Sequence, residues 1–368
     1  MGNIFDYVSW RGDLTFDEKE LNVVDSLIFS ILSYENFSGI LKPNERMTLE
    51  EVSRRFFEKY KEEDLNKRIL MNDKSHKILK QCAEQKRYKS ITLWNYTNEI
   101  DKELNTQFSA ITFEYKDKWK YIAFSGTDES IVGWKEDFNM LFRDKVESQQ
   151  RAINYLNEVA SEKSIFKRYF KKGKIYVGGH SKGGNLAMYA SAFANLSVQD
   201  RIMRVDNFDG PGLDEKTWEY IDDELLNKYN SYIPKASIFG RIFEHKETIN
   251  IVESASKGLM QHFAYNWNIN TDGFIHCSEV SNGSEKAIIK FNKLFDGMSN
   301  EKKEKITNDL FRVFECLDIE RLSDLIKLNL LALIQGAKEI QELDTESRRV
   351  LIEFVKIIWD ITEVFPIK

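Results

Sequence analysis

The stretch Lys174-Ile175-Tyr176-Val177-Gly178-Gly179-His180-Ser181-Lys182-Gly183-Gly184-Asn185-Leu186-Ala187-Met188-Tyr189-Ala190 decides how the rest of the chain is read. β-Branched and aromatic residues (Ile175, Tyr176, Val177) predict a short strand, and Leu186, Ala187, Tyr189 and Ala190 follow at helical spacing. Between them, Gly179-His180-Ser181-Lys182-Gly183 fits G-x-S-x-G, a sharp strand-to-helix turn that lifts a serine Oγ clear of the sheet. Gly179 and Gly183 suit that corner because side chains there would collide with backbone packed beside the turn. A phosphate-binding loop is the poorer reading, since G-x-x-x-x-G-K-[ST] is absent.

Outward from the corner, strand, polar turn and helix alternate. Upstream, Ile91 to Tyr96, Phe108 to Tyr115 and Trp119 to Phe124 read as strands, the last two joined as a hairpin by Lys116-Asp117-Lys118. Then come Ser125-Gly126-Thr127-Asp128 and an amphipathic run from Ser148 to Ser161. Downstream lie a strand ending at Phe208-Asp209, a helix from about Asp214, and strands near Ala236 to Phe243 and Thr248 to Val252. This alternation predicts an α/β fold with a mostly parallel central sheet and right-handed crossovers.

Residues 1–89 predict helices that pack on the sheet. Thr15-Phe16-Asp17-Glu18 and Thr48-Leu49-Glu50-Glu51 fit the capping box, each before apolar residues at three- and four-residue steps. Beyond Ser281-Asn282-Gly283 the pattern is helical throughout, in about four segments including Leu322 to Ile334 and Leu351 to Trp359. The expected division is residues 1–282 for the α/β domain and 283–368 for a helical C-terminal extension, a cap or an interaction region.

Composition narrows the function classes. The chain has 368 residues, 42% hydrophobic and 30% charged, which suits a globular protein with a sizeable core. A net charge of −6 without a long basic run argues against nucleic acid as the main partner. Cys82, Cys277 and Cys316 are odd in number and far apart, giving neither a disulfide framework nor a metal site. Met1-Gly2-Asn3-Ile4-Phe5-Asp6 has neither the basic nor the apolar region of a signal peptide, and no apolar run nears the roughly 20 residues needed to span a bilayer. The expectation is a cytoplasmic protein with no transmembrane segment.

A serine becomes a useful nucleophile when a base takes its proton and a third group orients that base. In this arrangement the partners follow in the order Ser, acid, His, on loops after later strands. His262 lies where the base should arrive, ahead of His276 and of His245, which reads as an exposed turn residue. His180, beside the nucleophile, suits packing or hydrogen bonding under the turn. Asp209, before the tight Gly210-Pro211-Gly212 turn, is the leading acid, with Asp206, Glu244 and Glu247 as alternatives. The N–H groups of Lys182 and Thr127 are the expected oxyanion donors.

Ala123-Phe124-Ser125-Gly126-Thr127-Asp128 with Gly133-Trp134 and Asp137-Phe138, together with Gly179 to Gly184, resembles segments of class 3, fungal-type lipases. The chain more closely resembles the Mbeg1-like (DUF2974) family of α/β-hydrolases, through Asp6-Tyr7, Trp10-Arg11-Gly12-Asp13-Leu14, His180 to Ala187, Phe208 to Gly212, Gln261-His262 and Trp267. Ser125 departs from the lipase pattern, which has arginine there, and the fungal-type acid follows a later strand than the one carrying Asp209. The resemblance implies an α/β-hydrolase fold and a lipase-like serine hydrolase, and implies no substrate; the triad reading itself needs no metal or organic cofactor, and the Phe, Leu and Ile of the neighbouring loops and C-terminal helices suit a small-molecule ester or lipid. A degenerate hydrolase-fold binding protein, or a thioesterase or peptidase with the same triad, is the alternative, and a homo-oligomer or partner bound through the C-terminal helices is a further possibility.

Overall fold

The computed structural model describes residues 1–68, 72–128, 130–161, 173–321, 324 and 338–362. In chain order the elements are α1 (Ile4–Arg11), α2 (Val23–Leu32), β1 (Met47–Thr48), α3 (Leu49–Lys59), α4 (Glu62–Leu65), α5 (Asn72–Glu84), β2 (Thr92–Asp101), β3 (Thr106–Tyr115) and β4 (Trp119–Phe124). Next come α6 (Ile131–Met140), α7 (Glu147–Ser161), β5 (Lys174–His180), α8 (Lys182–Ala192), α9 (Leu196–Gln199), β6 (Ile202–Phe208), α10 (Glu215–Trp218), α11 (Asp223–Leu226), β7 (Tyr229–Pro234) and β8 (Thr248–Val252). The C-terminal helices are α12 (Asn282–Phe295), α13 (Asn300–Cys316), α14 (Lys338–Glu342) and α15 (Thr345–Thr362).

Among the described residues the strands form one eight-stranded sheet in sequential order from β1 to β8. β3 and β4 are antiparallel, with Tyr115 opposite Trp119 across the expected short turn. From β4 to β8 every pairing is parallel. Because each new parallel strand is added on the same side, right-handed crossovers put α7 and α8 on one face. That face is a core in which Ile122, Phe124, Ile175, Val177 and Val205 pack against Leu156 of α7 and Leu186 of α8.

The opposite face therefore needs another cover, and α2 supplies it. Alternate residues of the same strands turn that way. Phe29 lies 5.4 Å from Tyr121 between ring centres, Ser30 Oγ is 2.8 Å from Tyr121 Oη, and Arg204 donates to Ser26 Oγ at 2.7 Å. α2 is buried along nearly its whole length. Its one carboxylate, Asp25, meets Arg87 in a two-pronged pair at 2.9 and 2.6 Å, with both side chains fully buried. Arg87 also donates to the carbonyls of Leu14, Lys19 and Glu20, so one guanidinium ties the loop before α2 to the start of the sheet domain.

Several boundaries differ from the sequence reading. Thr15 and Glu18 do hydrogen-bond, but around a turn, and α2 starts at Val23 under its own capping box, Asn22 with Asp25. The strand expected at residues 236–243 is instead β7 at Tyr229–Pro234, where buried Ser231 interrupts the apolar pattern and Pro234 ends the strand. Residues 236–243 form a turn with a short 3-10 helix at Phe239–Arg241. The expected helix from Asp214 is only one turn long, capped by the Asp214 side chain. The segment Leu322 to Ile334 lies outside the described residues, apart from Asp324.

The chain groups into two compact units: Met1–Glu99 with Phe108–Gly126 and Ser148–Ser284, and Ile100–Gln107 with Thr127–Glu147 and Glu285–Lys368. Within the second, Phe138 of α6 packs edge-on against Phe311 of α13 at 5.7 Å. Among the described residues no helix is long and apolar enough to cross a membrane.

Candidate active site

β5 ends at His180 and α8 begins at Lys182, which leaves Ser181 alone on the corner with φ 58° and ψ −131°. A residue with a Cβ held at positive φ costs about 1–3 kcal/mol, so the surroundings must over-determine it. They do so by hydrogen bonds from Ser181 N to Phe208 O and from Gly184 N to Ser181 O, both 2.9 Å. Close packing explains the flanking glycines. A Cβ on Gly183 would stand 2.1 Å from Phe124 O, and one on Gly179 would stand 2.3 Å from the Gly183 carbonyl carbon.

Asp209 follows β6 directly, also at positive φ (52°), and is buried. Its Oδ1 accepts from Ser237 Oγ and from Gly240 N, the latter at 3.2 Å. Its Oδ2 lies 2.7 Å from His262 Nδ1. A carboxylate only accepts, so Nδ1 carries the proton and Nε2 is left as the basic nitrogen. His262 ends a 3-10 turn, Gly258–His262, with its ring between those of His180 and Phe239, each 4.5 Å away. The His262 carbonyl is in turn 2.7 Å from Nε2 of His180, the residue that precedes Ser181.

Burial sets the protonation states. It pushes the His262 imidazole down to about 3 and that of His180 to about 3, while pushing the Asp209 carboxyl up to about 7. Low dielectric disfavours the charged form of each, so both imidazoles are neutral at pH 7. A neutral His262 is free to accept a proton.

Residues 82–312 match the model of the Mbeg1-like family, well over half of the chain. The chain belongs to the Mbeg1-like family. No curated protein matches it. Among solved structures it is similar to M37 lipase, at 18% identity over 58% of this chain and 68% of that one with a TM-score of 0.33. It is also similar to a lipase from Rhizopus microsporus var. chinensis, at 16% identity over 61% of this chain and 76% of that one with a TM-score of 0.37.

In this Mbeg1-like protein the other candidates have separate places. His245 Nδ1 is 2.6 Å from Glu247 Oε1 and only 7% of its side chain is exposed, so it is not the exposed turn residue expected from its charged neighbours. Glu247 also accepts from Ser231 Oγ. Asp206 pairs with Arg204 on the α2 face of the sheet, and His276 makes an isolated bridge with Val252. Lys182 is the first residue of α8 and follows Ser181 directly. Phe124 and Ser125 lie against Gly183, whereas Thr127, two residues beyond Ser125, belongs to the second unit and donates its hydroxyl to Asp137 at 2.6 Å. Among the described residues no three His, Cys, Asp or Glu side chains are placed to hold a metal ion.

Three contributors escaped sequence reading: Ser237, Phe239 and Tyr34. Ser237 and Phe239 lie where a strand was expected, and their roles exist only because the turn folds back on Asp209. Tyr34 lies 146 positions from His180, yet its Oη is 2.9 Å from His180 Nδ1. No local pattern signals that contact.

Proposed function

We propose that the protein is a serine hydrolase that cleaves a carboxylic ester through an acyl-enzyme. The observation that carries the reading is the 2.7 Å contact between Asp209 and His262, with His262 held to the residue beside a serine on a strained strand-to-helix corner. Ser181 Oγ attacks the ester carbonyl carbon as His262 Nε2 takes its proton. The resulting oxyanion is held by the N–H of Lys182, a donor of a kind commonly worth about 3 kcal/mol. His262 then gives the proton to the leaving alkoxide, and the alcohol departs. Water attacks the acyl-serine with the same base, releasing the acid and restoring Ser181. Asp209 keeps the Nδ1–H tautomer in place throughout.

A lipid-like acyl group is the preferred substrate class. That preference rests on the Phe, Leu and Ile of the neighbouring loops and C-terminal helices, residue types that suit an acyl pocket. The test is labelling with a fluorophosphonate and mapping of the modified peptide. A covalent adduct on Ser181 that is lost in His262→Ala is the expected result. A folded protein that takes no label would overturn the assignment and favour a hydrolase-fold binding protein.

A further inference from the structure

We infer that His180 and Tyr34 are a positioning pair that fixes His262 relative to the nucleophile corner. The inference rests on the assignment of Ser181, His262 and Asp209 above. The turn that carries His262 has three successive carbonyls held by side chains. Met260 O accepts from Asn266 Nδ2 at 3.2 Å, Gln261 O accepts from Trp267 Nε1 at 2.7 Å, and His262 O lies 2.7 Å from His180 Nε2. The first two donors belong to the same loop and fix only its internal shape. Of the three, His180 alone comes from the corner, one residue from Ser181, so it sets the distance between base and nucleophile.

Hydrogen-bond logic gives Tyr34 its part. A carbonyl only accepts, so His180 Nε2 carries the proton, and in the neutral ring Nδ1 is then an acceptor. The Tyr34 hydroxyl, 2.9 Å from Nδ1, supplies the donor and thereby holds the tautomer that bonds to His262. The one Tyr34 proton is shared, Nδ1 taking the nearer branch and His180 O, at 3.2 Å, the longer one, and a Cβ on Gly126 would lie 2.0 Å from Oη. One phenol placed by the end of α2 thus touches the corner and the strand end that faces it. Both side chains are enclosed, His180 completely and Tyr34 nearly so. This gives the N-terminal helices a role in the site as well as in covering the sheet.

The experiment measures kcat and KM on a short acyl ester, with kcat normalised to the Ser181 sites titrated by fluorophosphonate. Normalisation removes any loss that is only a smaller folded fraction. Misplacing a reacting group by about 1 Å can cost about 100-fold, so His180→Ala is expected to lower kcat per titrated site by roughly 10- to 100-fold while KM changes less than about twofold. His180→Gln places an amide N–H near the position of Nε2 and should restore most of the rate, whereas the shorter His180→Asn should not. Tyr34→Phe should lower kcat by roughly 3- to 10-fold, because His180 is then free to exchange tautomers. Parent-like kcat in His180→Ala, or equal rates for the Gln and Asn variants, would overturn the inference while leaving the triad intact. Should the Ala variant not fold, the Gln and Asn comparison decides. A parent that takes no label overturns both the triad and the inference.

Discussion

Replacing Asp209 by Asn tests the site most sharply, because it changes one atom and leaves the packing volume in place. Asp209 Oδ1 receives two donors, Ser237 Oγ and Gly240 N, so the amide oxygen of the variant takes that position. The amide NH2 then faces His262 Nδ1, where Oδ2 had been 2.7 Å away. Two donors cannot face each other, so the imidazole proton moves to Nε2, the atom that must accept the proton of Ser181. The expected loss is about 1,000- to 10,000-fold in kcat, which at 1.36 kcal/mol per factor of ten is about 4–5.5 kcal/mol of transition-state stabilisation.

Stability should behave differently. Burial raises the Asp209 pKa to about 7, above its unfolded value, so its stabilising contribution is complete below the unfolded pKa and is lost as pH rises through 7. Above pH 7 the parent must bury an anion that the amide replaces with a neutral group. Asp209→Asn should therefore be at least as stable as the parent at pH 8. The assay is ester turnover alongside urea denaturation at pH 8. A variant that keeps more than about a tenth of the parent kcat would refute the tautomer argument, whose threshold comes from the losses seen when a triad acid is neutralised. A large fall in stability would instead place Asp209 among structural turn residues.

Other outcomes follow from the same geometry. Ser181→Gly should abolish turnover yet raise the denaturation midpoint, since about 1–3 kcal/mol of strain at φ 58° is relieved against roughly 0.5–1 kcal/mol of added unfolded-state entropy; a less stable variant would contradict the strain. His262 and Asp209 share one hydrogen bond and take their first proton as a pair near the raised carboxyl value of about 7. kcat/KM should therefore fall about tenfold per pH unit below that point and be flat above about pH 8, and a limb lying below pH 6 would count against it. Arg87→Ala leaves the Asp25 carboxylate buried without its partner and should cost about 3–5 kcal/mol in urea unfolding. A loss below 1 kcal/mol would mean that water enters the site.

How far the chain was legible depended on how local each signal was. The corner at Ser181 could be read because strand, glycines and helix are adjacent in sequence and the constraint between them is steric. Asp209 and His262 were chosen from their positions after strands, since chain direction in a parallel sheet delivers successive loops to one edge. β7 was misread because its polar residue Ser231 is buried against Glu247, a partner that no local window contains. His245 was misread for a related reason. Its charged neighbours suggested solvent, but Glu247 and the turn at Gly212 enclose it.

Sequence by itself determined the alternation of elements, the parallel sheet, the serine on its turn and the Mbeg1-like resemblance, all of which depend on residues within a few positions of each other. Tertiary structure alone decided what covers the second face of the sheet and what holds the His262 turn to the Ser181 corner. With α7 and α8 on one face, α2 closes the other, and that docking carries Tyr34 to His180. Both results depend on contacts between segments 82 to 178 residues apart, whose pairing is set by the packing of the whole domain and leaves no periodic mark on the chain.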